Sequence, residues 1–159
     1  MHLVTLKRMQ SGVMLLEALI GILIFSIGIL AIVGLQAASI KNQADGKYRA
    51  DASYFANQII GQMWGDRTNL ATYAHNPTPA VTALAPPTCN PTPAASGNAN
   101  VTAWTTKLAN TLPGAAATRQ QIIVPNPPGT NNNRVTVVVC WKAPQDTTWH
   151  RHLAVTYIN

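Results

Sequence analysis

The sequence predicts an α+β chain in which a long N-terminal α-helix, apolar in its first half and amphipathic in its second, packs on a small antiparallel β-sheet. Three observations predict it. The run from Val13 to Leu35 (VMLLEALIGILIFSIGILAIVGL) contains Glu17 as its only ionisable side chain, and roughly 20 apolar residues rising about 1.5 Å each span a bilayer core. Beyond it, Ile40, Ala44, Tyr48, Ala52, Phe55, Ile59 and Met63 recur at intervals of three or four, the spacing of one helical face. In the last third, Arg134 to Lys142 and Trp149 to Ile158 alternate apolar and polar side chains, as strands do.

Length and charge bound the rest. The chain has 159 residues, 10% of them charged, against about a quarter in an ordinary soluble domain; that is room for one domain and an appendage. The 11 Lys and Arg against 5 Asp and Glu give +6, but the basic residues are scattered, so the charge permits nucleic acid without indicating it. Residues 1–12 carry Lys7 and Arg8 and no acid, which by the positive-inside bias keeps the N-terminus in the cytoplasm and sends everything after Lys41 across the membrane. The apolar run is also longer than the roughly 7–15 residues of a secretory signal peptide. Within it Glu17 is the anomaly, because a carboxylate at the bilayer centre costs about 2.5–3.5 kcal/mol. It needs a partner, or must be protonated or reach the cytoplasmic face.

The string KRMQSGVMLLEALIGILIFSIGILAIVGLQ combines a short basic leader, Gly12, an apolar residue after it, and Glu17 five places on, all opening one apolar helix. It resembles the class III signal of type IV prepilins, and its wording is similar to that of minor pilins of the PilV type. The resemblance implies a pilin-like fold and a fixed sequence of processing. A prepilin peptidase/methyltransferase would cut between Gly12 and Val13 and N-methylate Val13, and Glu17 would pair with the N-terminal amine of a neighbouring subunit. The implied layout is a leader over 1–12 that is removed, a transmembrane and filament-core helix over 13–35, its amphipathic continuation over 36–67, and a periplasmic globular domain over 68–159 with a Pro-rich loop at 75–100. The implied partners are other minor pilins, the major pilin and an inner-membrane assembly platform. The chain would be a single-pass inner-membrane protein first and part of a surface pilus afterwards, priming assembly and modifying the tip, adhesion or twitching motility. It departs from the major-pilin pattern in reading Val13-Met14-Leu15-Leu16-Glu17 rather than Phe-Thr-Leu-Ile-Glu, and in carrying Gly34 where a helix-kinking proline is common. A pseudopilin of a type II secretion system carries the same signature, and a plain anchored periplasmic binding module is a third reading.

The helix is read as continuous to about residue 67, with an anchor followed by a separate short helix as the alternative that Gly34, Gly46 and Gly61 keep open. From His75 to Asn100 prolines 77, 79, 86, 87, 91 and 93 exclude regular structure; a low-complexity linker is expected there unless Cys89 ties it down. Cys89 and Cys140 are the only cysteines. On the oxidising side of the membrane they are expected to form one disulfide, closing about 50 residues and contributing roughly 4 kcal/mol. Residues 101–112 suggest a short helix, Gln120 to Val124 a short strand, and Pro127-Pro128-Gly129 with Asn131-Asn132-Asn133 a turn or loop, while Ala143 to Thr148 connects two hairpin strands. In the last strand Leu153, Val155 and Tyr157 fall on one side, and His150, His152 and Thr156 on the other, which is read as the solvent face.

No enzyme, cofactor or metal is expected. Asp45, Asp51, Asp66 and Asp146 offer no evident acid and base pair, and Cys89, Cys140, His75, His150 and His152 lack metal-ligand spacing. Neither a nucleophile elbow nor a phosphate loop occurs. A DNA-binding minor pilin would have to gather Arg119, Arg134, Lys142 and Arg151 on one surface.

Overall fold

The computed structural model describes residues 11–80, 87–124 and 133–159. The leader up to residue 10, the middle of the Pro-rich loop and the turn at Pro127-Pro128-Gly129 and Asn131-Asn132 lie outside the described residues. Along the chain come helix α1 (Ser11–Gly65), a 3-10 segment (Arg67–Tyr73), helix α2 (Ala99–Thr111), a 3-10 turn (Ala117–Arg119), and strands β1 (Gln121–Ile123), β2 (Arg134–Trp141) and β3 (His150–Tyr157). The architecture is α+β, with a long apolar N-terminal helix and a three-stranded antiparallel sheet in the order β1-β2-β3. By its internal contacts the chain divides into a unit ending at Asp45 and a unit Gly46–Asn159.

In the first unit, α1 passes Gly34 without a break. Its large apolar side chains from Val13 to Leu35 are exposed, and this is the stretch long and apolar enough to cross a membrane. Ser26 donates its hydroxyl to the Ile22 carbonyl at 2.7 Å, so that side chain is satisfied inside its own helix. Ile40, expected to open the amphipathic face, is exposed.

In the second unit, the last turns of α1 bury Ala52, Phe55, Ala56, Ile59 and Met63 in one core with Val135, Val137, Val139 and Trp141 of β2. This is the face the three-and-four spacing marks, begun at the half-buried Tyr48, about two turns after Ile40. Helix α2 starts where the Asn98 side chain accepts from the Asn100 amide at 2.9 Å, an N-cap. It buries Val101, Trp104, Thr105 and Leu108, one stripe of the helix. The Trp104 indole donates to the Phe55 carbonyl at 2.9 Å, joining α2 to α1. Between α2 and β1 the chain turns at Gly114, whose φ of +68° strains any other residue and where a Cβ would sit 3.3 Å from the Lys142 carbonyl.

The sheet corrects one expectation. β2 is buried on both faces: Val135, Val137 and Val139 enter the main core, while Val138 and Cys140 are covered by Cys89. On β3 the sides are reversed from the sequence reading. Leu153, Val155 and Tyr157 are exposed, and His150, His152, Ala154 and Thr156 are the half-buried set. Register explains it, since Val139 pairs His152, Val137 pairs Ala154 and Val135 pairs Thr156. The inner face of β2 therefore carries the histidine side of β3 toward the helices.

Candidate functional site

The residues singled out by the sequence fall in two places. Gly12, Val13 and Glu17 lie in the first turns of α1 and are exposed; Val13 and Glu17 are four apart and so share a helical face. Glu17 makes no hydrogen bond or ion pair among the described residues. A Cβ added at Gly12 meets nothing within 4 Å.

The second place is the Pro-rich segment, whose described residues, 75–80 and 87–100, are anchored to the rest of the unit. Cys89 and Cys140 form a disulfide with Cα atoms 5.7 Å apart, and both are buried. Around it lies a polar network that sequence reasoning missed. His75 exchanges backbone hydrogen bonds with Ile122 at 3.0 and 2.9 Å. Its ring accepts from the Ser96 amide at Nδ1 (3.1 Å), so Nε2 carries the proton that goes to the Ala117 carbonyl at 3.0 Å. Buried Asn76 donates to the Ala117 and Gln120 carbonyls and accepts from the Ala94 amide. Gln120, fully buried, donates to the Cys140 carbonyl at 3.0 Å and accepts from the Cys140 amide at 2.9 Å, doing with a side chain what a ladder residue does with its backbone. These amides carry no periodic signature, and only the fold brings them together.

The remaining candidates are dispersed into structural contacts. Arg119 donates to the Cys89 carbonyl and to Asn90 Oδ1 and lies 4.8 Å over the Trp149 ring, so it clamps the loop. Arg134 and Arg151 are exposed on the outer face of the sheet, and the Lys142 amide donates to the Pro113 carbonyl. His150 meets Asp146 at 2.8 Å and stacks on Trp141, while Asp66 accepts from Asn69 and Tyr73. Burial holds the His152 imidazole below its usual pKa. Among the described residues no three His, Cys, Asp or Glu side chains come together as a metal site.

No family model, no curated protein and no solved structure matches the chain.

Proposed function

We propose that the chain is a minor pilin of the type IV pilus, PilV type: a non-catalytic filament subunit made as a membrane-anchored precursor. A prepilin peptidase removes the leader after Gly12 and methylates Val13; Glu17 then sets axial register in the filament. The single observation that carries this reading is Glu17, a carboxylate in an otherwise apolar helical run, with no partner among the described residues of its own chain. A buried carboxylate without a counter-charge costs several kcal/mol, and docking beside the free amine of another subunit offsets that cost. Processing at Gly12 creates such an amine at Val13, four residues from the carboxylate of the same helix. In this reading the inner membrane holds the subunit N-in and C-out before assembly, the apolar half of α1 becomes the filament stem, and the disulfide-anchored unit Gly46–Asn159 forms its outer surface beside the major pilin and other minor pilins.

The test is the intact mass of the protein from cells with and without a prepilin peptidase. Loss of residues 1–12 with gain of one methyl group, only when the peptidase is present, is the expected result. An unprocessed chain in both strains discards the reading.

A further inference from the structure

The buried ring of His75, 4% exposed, makes one hydrogen bond that survives a second proton and one that does not. Nε2 donates to the Ala117 carbonyl at 3.0 Å and keeps its proton in either charge state. Nδ1 accepts from the Ser96 amide at 3.1 Å. A proton on Nδ1 sets a donor against a donor, and neither partner can reverse its role, since a backbone N–H only donates and a carbonyl only accepts. The charged ring therefore stays on Ala117 and expels Ser96.

Ser96 lies in the middle of a short strap, residues 94–98. Upstream, the Asn76 amide donates to the Ala94 carbonyl at 2.9 Å and Asn76 Oδ1 accepts from the Ala94 amide at 2.7 Å. Downstream, Ser96 Oγ donates to the Thr72 carbonyl at 2.6 Å and accepts from the Asn98 amide at 3.1 Å. Asn98 in turn donates to Thr72 Oγ1 and caps α2. None of residues 94–98 is buried. Lifting the strap thus breaks hydrogen bonds that water can replace and uncovers no core side chain of its own, the mark of a segment that opens locally. Gly97 and Asn98 also line an open cavity with Asp66, Thr72 and the first residues of α2, so the strap's position sets the shape of that cavity.

The charged groups of the neighbouring elements are engaged elsewhere. The 3-10 segment Arg67–Tyr73 carries Arg67, which donates to the Asn159 carbonyl, and Tyr73, whose hydroxyl donates to Asp66. The 3-10 turn carries Arg119, which donates to the Cys89 carbonyl and Asn90 Oδ1. The strap and β1 hold no titratable side chain. No described carboxylate meets the ring to compensate a positive charge on it.

We propose that His75 is an acid-sensitive latch: its neutral ring holds the strap 94–98 closed through the Ser96 amide, and proton uptake at Nδ1 releases the strap and loosens the cap of α2 while the sheet stays folded. A proton reaches Nδ1 only when the amide leaves it, so every proton bound there favours the open strap, and acid opens what neutral pH holds shut. The inference uses only the unit Gly46–Asn159 and stands or falls apart from leader processing and the filament role.

The experiment follows the isotope-labelled full chain in detergent micelles by NMR from pH 7.5 to 5. Imidazole nitrogen shifts report the state of His75, and amide exchange, referred to the intrinsic rate at each pH, reports the strap. At pH 7.5 His75 should show the Nε2–H tautomer. As it charges, protection of the Ser96 amide should fall about tenfold or more, while amides in the middle of β2 keep theirs. His75→Asn, which retains a neutral acceptor, should remove the pH response of the strap. His152→Gln should leave that response in place. The site-resolved titration of the parent chain decides the matter even where His75→Asn fails to fold. A ring that stays neutral to pH 5, a ring that charges with Ser96 still protected, a loss shared equally by β2, or a response that survives in His75→Asn each overturns the proposal.

Discussion

Glu17 and His152 are both ionisable side chains set among apolar neighbours, and they answer that setting differently. Glu17 has no counter-charge among the described residues, so Glu17→Ala is expected to leave membrane insertion intact and to lower incorporation into filaments. Quantifying the variant in membranes and in sheared filaments checks this, and normal incorporation removes the register role. His152 instead sits on the inner side of β3, opposite Val139, where burial depresses its pKa. Its folded pKa lies below the unfolded value of about 6.5, so the unfolded chain binds the extra proton first and stability falls as pH drops through about 6.5, levelling off only below the folded pKa. Unfolding midpoints measured from pH 7.5 to 5 should show that decline in the parent chain and a flatter profile in His152→Gln.

At the scale of elements, two unrelated devices hold the Pro-rich segment on the sheet. The disulfide closes a sequence separation of 51, which by chain entropy contributes about 4 kcal/mol; Cys89→Ser with Cys140→Ser should lower stability by roughly that amount, and thiol labelling of the unreduced parent should find neither cysteine reactive. The side chain of Gln120 is the second device. Gln120→Leu would strand the buried Cys140 amide and should cost about 1–3 kcal/mol, read from the denaturant midpoint, without freeing either thiol. On α1 the reverse holds. Asp51, Gln58 and Gln62 each leave a buried oxygen without a partner, and positions seven and four apart put them on one flank of the helix. Gln62→Met is expected to be neutral or mildly stabilising, since it removes an unmet acceptor while keeping the volume.

For the whole molecule, the two units carry different physics. From Ser11 to Asp45 the chain is a helix whose large apolar side chains are exposed, and its stability in any environment depends on what surrounds it. The unit Gly46–Asn159 has its own core, made of the last turns of α1, helix α2 and one face of the sheet. Changes in the first unit, such as a bulky replacement of Gly12, are therefore expected to block leader removal without shifting the unfolding of the second; a processed product from that variant would misplace the cleavage site.

Periodicity and chemical oddity made much of this legible in the sequence. The extent of α1, the stripe from Ala52 to Met63, both hairpin strands, the short helix α2, the pairing of Cys89 with Cys140, and the isolation of Glu17 all follow from patterns within one element or from the rarity of a residue type. Tertiary structure alone decided three things: that the histidine side of β3 faces inward and the Leu153, Val155 and Tyr157 side outward, that the described ends of the Pro-rich segment are held by Asn76, His75 and Gln120, and that Cys89 packs on Val138 of β2. The physical reason is that alternation divides a strand into two faces without saying which is covered. Coverage depends on where distant segments land, and here the disulfide brings Cys89 over Val138 while Leu153, Val155 and Tyr157 on the next strand are exposed.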